Sequence, residues 1–193
     1  MTRLHLDAQG DWLVEADRCP SPNCDERAGT GEIALIVVHG ISLPPGEFGG
    51  PWIADLFLNR LDPDAHPYFR EVAGVKVSAH VVIRRDGQLV QFVPFSKRAW
   101  HAGQSCFRGR NVCNDFSIGI ELEGTDELPY TEAQYRSLTA LIALLRSRYP
   151  NIDTDAITGH ADIAPGRKTD PGPAFDWDKL AAMLTQAADS LTG

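Results

Sequence analysis

The chain has 193 residues, 43% of them hydrophobic and 23% charged, which allows one domain with a real core and is ordinary for a soluble globular protein. Its net charge of −8 argues against a nucleic-acid partner, because a polyanion needs a basic face. The longest apolar runs, such as "IALIVVHGI", have the length of a core strand and fall far short of the ~20 residues of a membrane span.

The N-terminal "MTRLHLDAQGDWLVEADRCPSPNCDER" has no basic segment leading into an apolar stretch, so it does not read as a secretory signal, and the cytoplasm is the expected location. In that setting Cys19, Cys24, Cys106 and Cys113 are expected as free thiols. They form no paired C-x-x-C units, which argues against a structural zinc knuckle. No internal repeat, low-complexity tract or linker divides the chain.

"IALIVVHG" (33–40) is a continuous apolar run ending at His39 and Gly40, and it predicts a buried strand. "ISLPPGEFGGPW" (41–52) is a loop broken by Pro and Gly. It either shapes a cleft or is a plain Ω-loop. "WIADLFLNRL" predicts a short helix, and "DPDAHPYFREVAG" (62–74) reads as irregular. In "KVSAHVVIRRDGQLVQFVPF" (76–95), two β-rich runs flank an Asp-Gly turn, which predicts a hairpin. "AWHAGQSCFRGRNVCNDF" (99–116) is loop-like, and the alternation in "SIGIELEG" (117–124) predicts a strand. The strongest helix covers 130–150, with Thr131 as its cap and Pro150 as its stop. "DAITGH" is a short strand, and 176–192 is a C-terminal helix capped by Asp176. Interleaved strands and helices with one antiparallel hairpin predict a single α/β domain over 1–193, with a mixed central sheet flanked by helices.

The chemistry-bearing residues gather at strand ends. His39 closes one apolar strand, His160 follows Gly159 at the end of another, and Asp170 precedes Pro171-Gly172 in "TGHADIAPGRKTDPG". Two imidazoles and a carboxylate are typical zinc ligands, and three protein ligands leave one position open, which is the catalytic pattern. No H-E-x-x-H occurs, so a helix-borne metalloprotease site is excluded. Each residue also has a plainer reading as a hydrogen-bonded structural group. Asp162 reads better as a structural or supporting carboxylate than as a ligand. Glu121 and Glu123 lie two apart on one strand face, and spacing alone does not choose between them as a base.

Four stretches carry a resemblance: "LIVVHGISLPPGEFGGPWI", "SAHVVIRRDGQLVQFVPFSKRAWHAG", "CNDFSIGIELEGTD" and "TGHADIAPGRKTDPGPAFDW". Together, over roughly residues 11–180, they resemble the zinc amidases related to T7 lysozyme and peptidoglycan-recognition proteins, and among these the anhydro-muropeptide amidases of cell-wall recycling. The resemblance implies a peptidoglycan-recognition-protein (type 2 amidase) fold. It also implies a zinc ion held by His39, His160 and Asp170, Glu121 as the catalytic base and Lys168 as the stabiliser of the oxyanion. The bond it implies lies between the D-lactyl group of 1,6-anhydro-N-acetylmuramic acid and the L-alanine of the stem peptide. His101 and Trp100 are candidates to contact this substrate. Lys76, Arg108 and Arg110 are candidates to pair with its carboxylates, against the plainer reading as surface charges. His80 has the same open status as His101, whereas His5 and His66 read as surface residues.

One departure is Gly40, where close relatives often carry Asn after the first zinc ligand; a contact of that amide to sugar or peptide would be missing here. The expected partner is a soluble anhydro-muropeptide acted on by a monomer, with no nucleic acid or membrane involved. The competing expectations are a lytic amidase on polymeric peptidoglycan and a module that binds muropeptide without cutting it.

Overall fold

In the computed structural model, which describes residues 3–29 and 31–192, the strands are β1 (Asp17–Arg18), β2 (Cys24–Glu26), β3 (Leu35–Ile41), β4 (Val81–Ile83), β5 (Leu89–Gln91), β6 (Lys97–Ala99), β7 (Cys106–Phe107), β8 (Arg110–Asn111), β9 (Ser117–Glu123) and β10 (Ile157–Gly159). The helices are α1 (Trp52–Phe57), α2 (Phe69–Val72), α3 (Glu132–Arg148), α4 (His160–Ile163) and α5 (Trp177–Thr192), with a 3-10 turn at Cys113–Asp115. Six strands make one sheet in the order β1-β5-β4-β9-β3-β10. Only β4 and β5 pair antiparallel in it, so the sheet is mixed as expected.

The two central strands differ in pattern, and that difference positions the site. In β9 the odd residues are Ser117, Gly119, Glu121 and Glu123, and the even ones are Ile118, Ile120 and Leu122. The isoleucines pack with Leu138, Leu141, Ile142 and Leu145 of α3 and with Leu180 of α5 in one apolar cluster. Each such fully buried side chain contributes about 1.5–3 kcal/mol. On the other face Val82 and Val90 pack with Ile53, Leu56 and Phe57 of α1 and Phe69 of α2. Residue 121 is the register partner of both Val82 and His39, so the polar face of β9 lies on the α1–α2 side.

The long helix α3 starts where the sequence places it. Thr131 Oγ1 accepts from the Gln134 N–H, and the Gln134 side chain accepts from the Thr131 N–H, a reciprocal cap. Asp176 caps α5 by accepting from the Lys179 N–H at 2.8 Å. The hairpin forms around Arg84–Gln88, with three residues in each strand.

Three local expectations are corrected. The helix beginning at Trp52 stops at Phe57 instead of running to Leu61, because Asn59 takes a φ of 57° that no helix continues through. The stretch 62–74, expected to be irregular, contains α2, a single turn anchored by fully buried Phe69. The stretch 99–116, expected to be a loop, holds the end of β6, the β7–β8 hairpin and the 3-10 turn, all too short to leave a periodic signal. All four cysteines stand free. Among the described residues, no helix is long and apolar enough to cross a membrane.

Candidate active site

His39 is the fifth residue of β3, and its ring leaves the sheet on the α1–α2 side beside Glu121. β10 pairs in parallel with β3, so its end brings His160, the first residue of α4, next to His39. Asp162 orients this corner: its Oδ2 accepts from the Gly159 N–H and the Thr158 hydroxyl, both at 2.9 Å. That makes it a helix cap and not a ligand. The loop after α4 folds back so that the Asp170 carbonyl accepts from the Ala161 N–H, and Asp170 then faces both histidines.

His39 Nδ1, His160 Nδ1 and Asp170 Oδ2 form a triangle with sides of 3.0, 3.0 and 3.1 Å. Burial pushes the His39 imidazole down to about 4, so it is neutral at neutral pH. Burial works against ionising Asp170, but His160 and His39 beside it hold its carboxyl well below the usual carboxylate range. His160 Nε2 lies 3.1 Å from the Ala102 carbonyl and 3.4 Å from an Arg167 guanidinium nitrogen, and its Nδ1 faces Asp170. A cation completes such a triangle, and two imidazole nitrogens with one carboxylate oxygen suit zinc.

The structure separates the two strand glutamates. Glu123 Oε1 accepts from the Gly49 N–H at 2.6 Å and lies 3.7 Å from Arg84, while its Oε2 accepts from the Arg85 N–H at 3.2 Å. It ties the 42–52 loop to the sheet. Glu121 is also buried, yet its Oε2 has no hydrogen-bond partner. Burial, and then the Asp170 anion, pushes its carboxyl well above the ordinary value of 4.5, against the pull of the Lys168 ammonium. Lys168 forms no ion pair among the described residues.

These groups line a cavity of about 480 Å³. Its polar side holds His39, His101, Glu121, His160, Lys168 and Asp170, and its apolar side includes Leu43, Leu56, Phe57, Tyr68, Val72 and Val77. Ser42, Leu43 and Pro45 show that the Pro-Gly loop shapes the cleft.

The substrate-contact candidates divide. His101 reaches the cavity, but its ring nitrogens face His39 and Ser117. Trp100 donates its indole N–H to Asp25 at 3.1 Å and stands outside the cavity lining. The Arg110 guanidinium lies over the Phe116 ring at 3.9 Å and beside Glu32, outside the cavity lining. Lys76 lies between the lining residues Val75 and Val77 but is itself exposed and outside the lining. Arg108 pairs with Asp153 at 2.8 Å. His80 is structural: Nδ1 accepts from the Gly119 N–H, Nε2 faces the Lys97 carbonyl, and the ring stacks on Phe95.

Gly40 has a steric reason. A Cβ there would overlap the Tyr130 hydroxyl, which donates to the Pro171 carbonyl at 2.9 Å, one residue after Asp170. Tyr130, Ser117 and Asn114 went unnoticed in the sequence. Only Ser117 left a signal, the small-and-polar alternation of β9.

The N-acetylmuramoyl-L-alanine amidase family model matches residues 29–173. The 1,6-anhydro-N-acetylmuramyl-L-alanine amidase AmpD of Enterobacter cloacae is 61% identical over 181 residues, covering 94% of this chain and 96% of that protein. A crystal structure of a selenomethionine AmpD derivative superposes with a TM-score of 0.89 at 59% identity, covering 93% of this chain and 99% of that one. The N-acetylmuramyl-L-alanine amidase AmiD of E. coli, solved with anhydro-N-acetylmuramic acid-L-Ala-D-gamma-Glu-L-Lys, superposes with a TM-score of 0.59 at 28% identity, covering 92% of this chain and 65% of that one.

Proposed function

The chain belongs to the N-acetylmuramoyl-L-alanine amidase family, and from that premise we propose that it is a zinc-dependent hydrolase of soluble anhydro-muropeptides. It cleaves the amide between the D-lactyl group of 1,6-anhydro-N-acetylmuramic acid and L-alanine. The observation that carries this reading is the pairing of a three-ligand metal triangle with a buried, unpartnered carboxylate one strand away.

An amide carbonyl is a poor electrophile and water a poor nucleophile. His39, His160 and Asp170 would hold the zinc, which would supply a Lewis acid for the carbonyl and lower the pKa of water. Glu121 accepts the proton of the attacking water and passes it to the leaving amine of L-alanine. Burial and the Asp170 anion raise its affinity for that proton, and Lys168 opposes them. Lys168 offers a cation to the oxygen that gains charge, a contribution of roughly 3–4 kcal/mol at comparable sites. All five side chains come from one chain, so a monomer suffices. The acidic surface and the four free thiols suit a soluble substrate in a reducing compartment, and we assign the protein to the cytoplasm.

The experiment offers metal-quantified protein anhydro-muramyl tripeptide and, separately, intact sacculi, with and without chelator. Chelator-sensitive cleavage of the soluble substrate alone is the expected result. Release from sacculi as well makes it a lytic amidase. Zinc bound without cleavage of either makes it a binding module.

A further inference from the structure

Both metal-facing imidazoles lean on the same two residues. His160 Nε2 lies 3.1 Å from the Ala102 carbonyl. His101 Nδ1 lies 2.9 Å from His39 Nε2, and His101 Nε2 lies 3.0 Å from the Ser117 hydroxyl. The segment is held from behind: Asn114 Oδ1 accepts from the N–H groups of His101 at 3.2 Å and Ala102 at 2.8 Å. Arg167 also donates to the Ala102 carbonyl at 2.7 Å. Room for the His101 ring comes from Gly119, where a Cβ would overlap the imidazole.

We propose that His101–Ala102, clamped by Asn114, is the positioning element that presents both imidazoles to the metal through Nδ1. The assignment rests on the zinc amidase reading above. With the His101 Nε2 proton donated to Ser117, His101 Nδ1 accepts the Nε2 proton of His39. His160 does the same with the Ala102 carbonyl. Each ligand then carries its ring proton on the far nitrogen and its lone pair on Nδ1, and each ring is fixed in rotation. Hydrogen-bond partners of this kind typically alter metal affinity 10–100-fold, by roughly that factor per partner lost. His101 is thereby a positioning residue that acts through His39.

The test compares variants of matched shape in the full-length protein. His101→Asn keeps an acceptor where Nδ1 sits, and His101→Leu has the same outline without it. Zinc affinity is measured by chelator competition, melting of the metal-free protein reports folding, and kcat and KM are measured at saturating zinc. The expected result for His101→Leu is roughly 10–100-fold weaker zinc binding, with His101→Asn within a few-fold of the unmodified protein. Asn114→Ala should weaken zinc and Asn114→Asp, which keeps the acceptor, should restore it. Equal zinc affinity in unmodified protein and His101→Leu overturns the proposal, and a raised KM alone makes His101 a substrate contact. Equal weakening in the Asn and Leu variants also overturns it, because the ring and not the acceptor then matters. If His101→Leu does not fold, Ser117→Ala takes its place, and unchanged zinc affinity there refutes the relay. Unmodified protein that binds no zinc sinks the amidase reading itself, a result distinct from all of these.

Discussion

Replacing Glu121 with Gln should make the metal-free protein more stable while removing its activity. Glu121 is buried with one carboxylate oxygen unpartnered, and the Asp170 anion repels its charge. A buried polar group without a partner costs about 1–3 kcal/mol, more when charged. The nearby Lys168 offsets part of this, so we take about 2 kcal/mol for the gain on neutralising the side chain. For a chain of this size that is a rise in Tm of roughly 4–8 °C. The sign follows from linkage. A carboxyl whose folded pKa exceeds its unfolded value binds more protons folded than unfolded. Its cost to stability is absent below the ordinary value of 4.5, grows as pH rises from there, and is complete above the raised folded pKa. The gain from Glu121→Gln should therefore be largest at neutral or alkaline pH and fade towards pH 4.5. Calorimetry of chelated protein at several pH values reads it, with the metal removed so that its charge does not mask the effect. A variant that melts at or below the unmodified protein at neutral pH, or a gain independent of pH, refutes the account of Glu121 as an uncompensated buried carboxylate. Loaded with zinc, the same variant should lose about 10²–10⁴-fold in turnover, the usual contribution of a general base.

Three further outcomes are expected. Asp170→Ala removes the only anion of the ligand triangle and should strip zinc on dialysis; full retention by elemental analysis would take Asp170 out of the ligand set. Lys168→Ala should keep its zinc but lose roughly 10²–10³-fold in kcat, as loss of one charge-stabilising donor does elsewhere. Gly40→Ala should destabilise by about 1–3 kcal/mol, because its Cβ drives the Tyr130 hydroxyl off the Pro171 carbonyl; a melting curve identical to that of the unmodified protein would show that Tyr130 has room to move.

The strands and long helices were legible because each leaves a period or a boundary. "IALIVVHG" is apolar throughout since β3 is covered on both faces, and Thr131 with Gln134 writes the start of α3 into the sequence. The candidate triad could be proposed because His39, His160 and Asp170 fall on motifs long enough to carry a resemblance, and the structure brings the three together. What stayed hidden depends on contacts between distant segments. Nothing local to Trp100 announces that its indole is tied to Asp25, and nothing local to Arg110 announces Phe116. The same holds for Asn114, which works only because its side chain meets the backbone of residues 101 and 102. A one-turn helix such as α2 is too short for any period and owes its existence to the burial of Phe69.

Glu121 and Glu123 show how far environment, and not residue type, assigns a role. They share a strand, a face and nearly complete burial. Glu123 lies opposite Ile41, at the end of β3, where the Gly49 and Arg85 N–H groups and Arg84 reach it. Fully provided with donors, it serves as an anchor for the loop that lines the cavity. Glu121 lies two residues back, opposite His39, where the neighbouring positions are given to the candidate metal ligands, which donate nothing to it. The register of two parallel strands thus places one carboxylate among donors and the next among acceptors. The first is spent on structure, and the second keeps an oxygen without a partner, as the base proposed above requires. A shift of β9 by two residues would put Glu123 or Gly119 opposite His39 in place of Glu121, so the chemistry depends on strand register as much as on having the right residues.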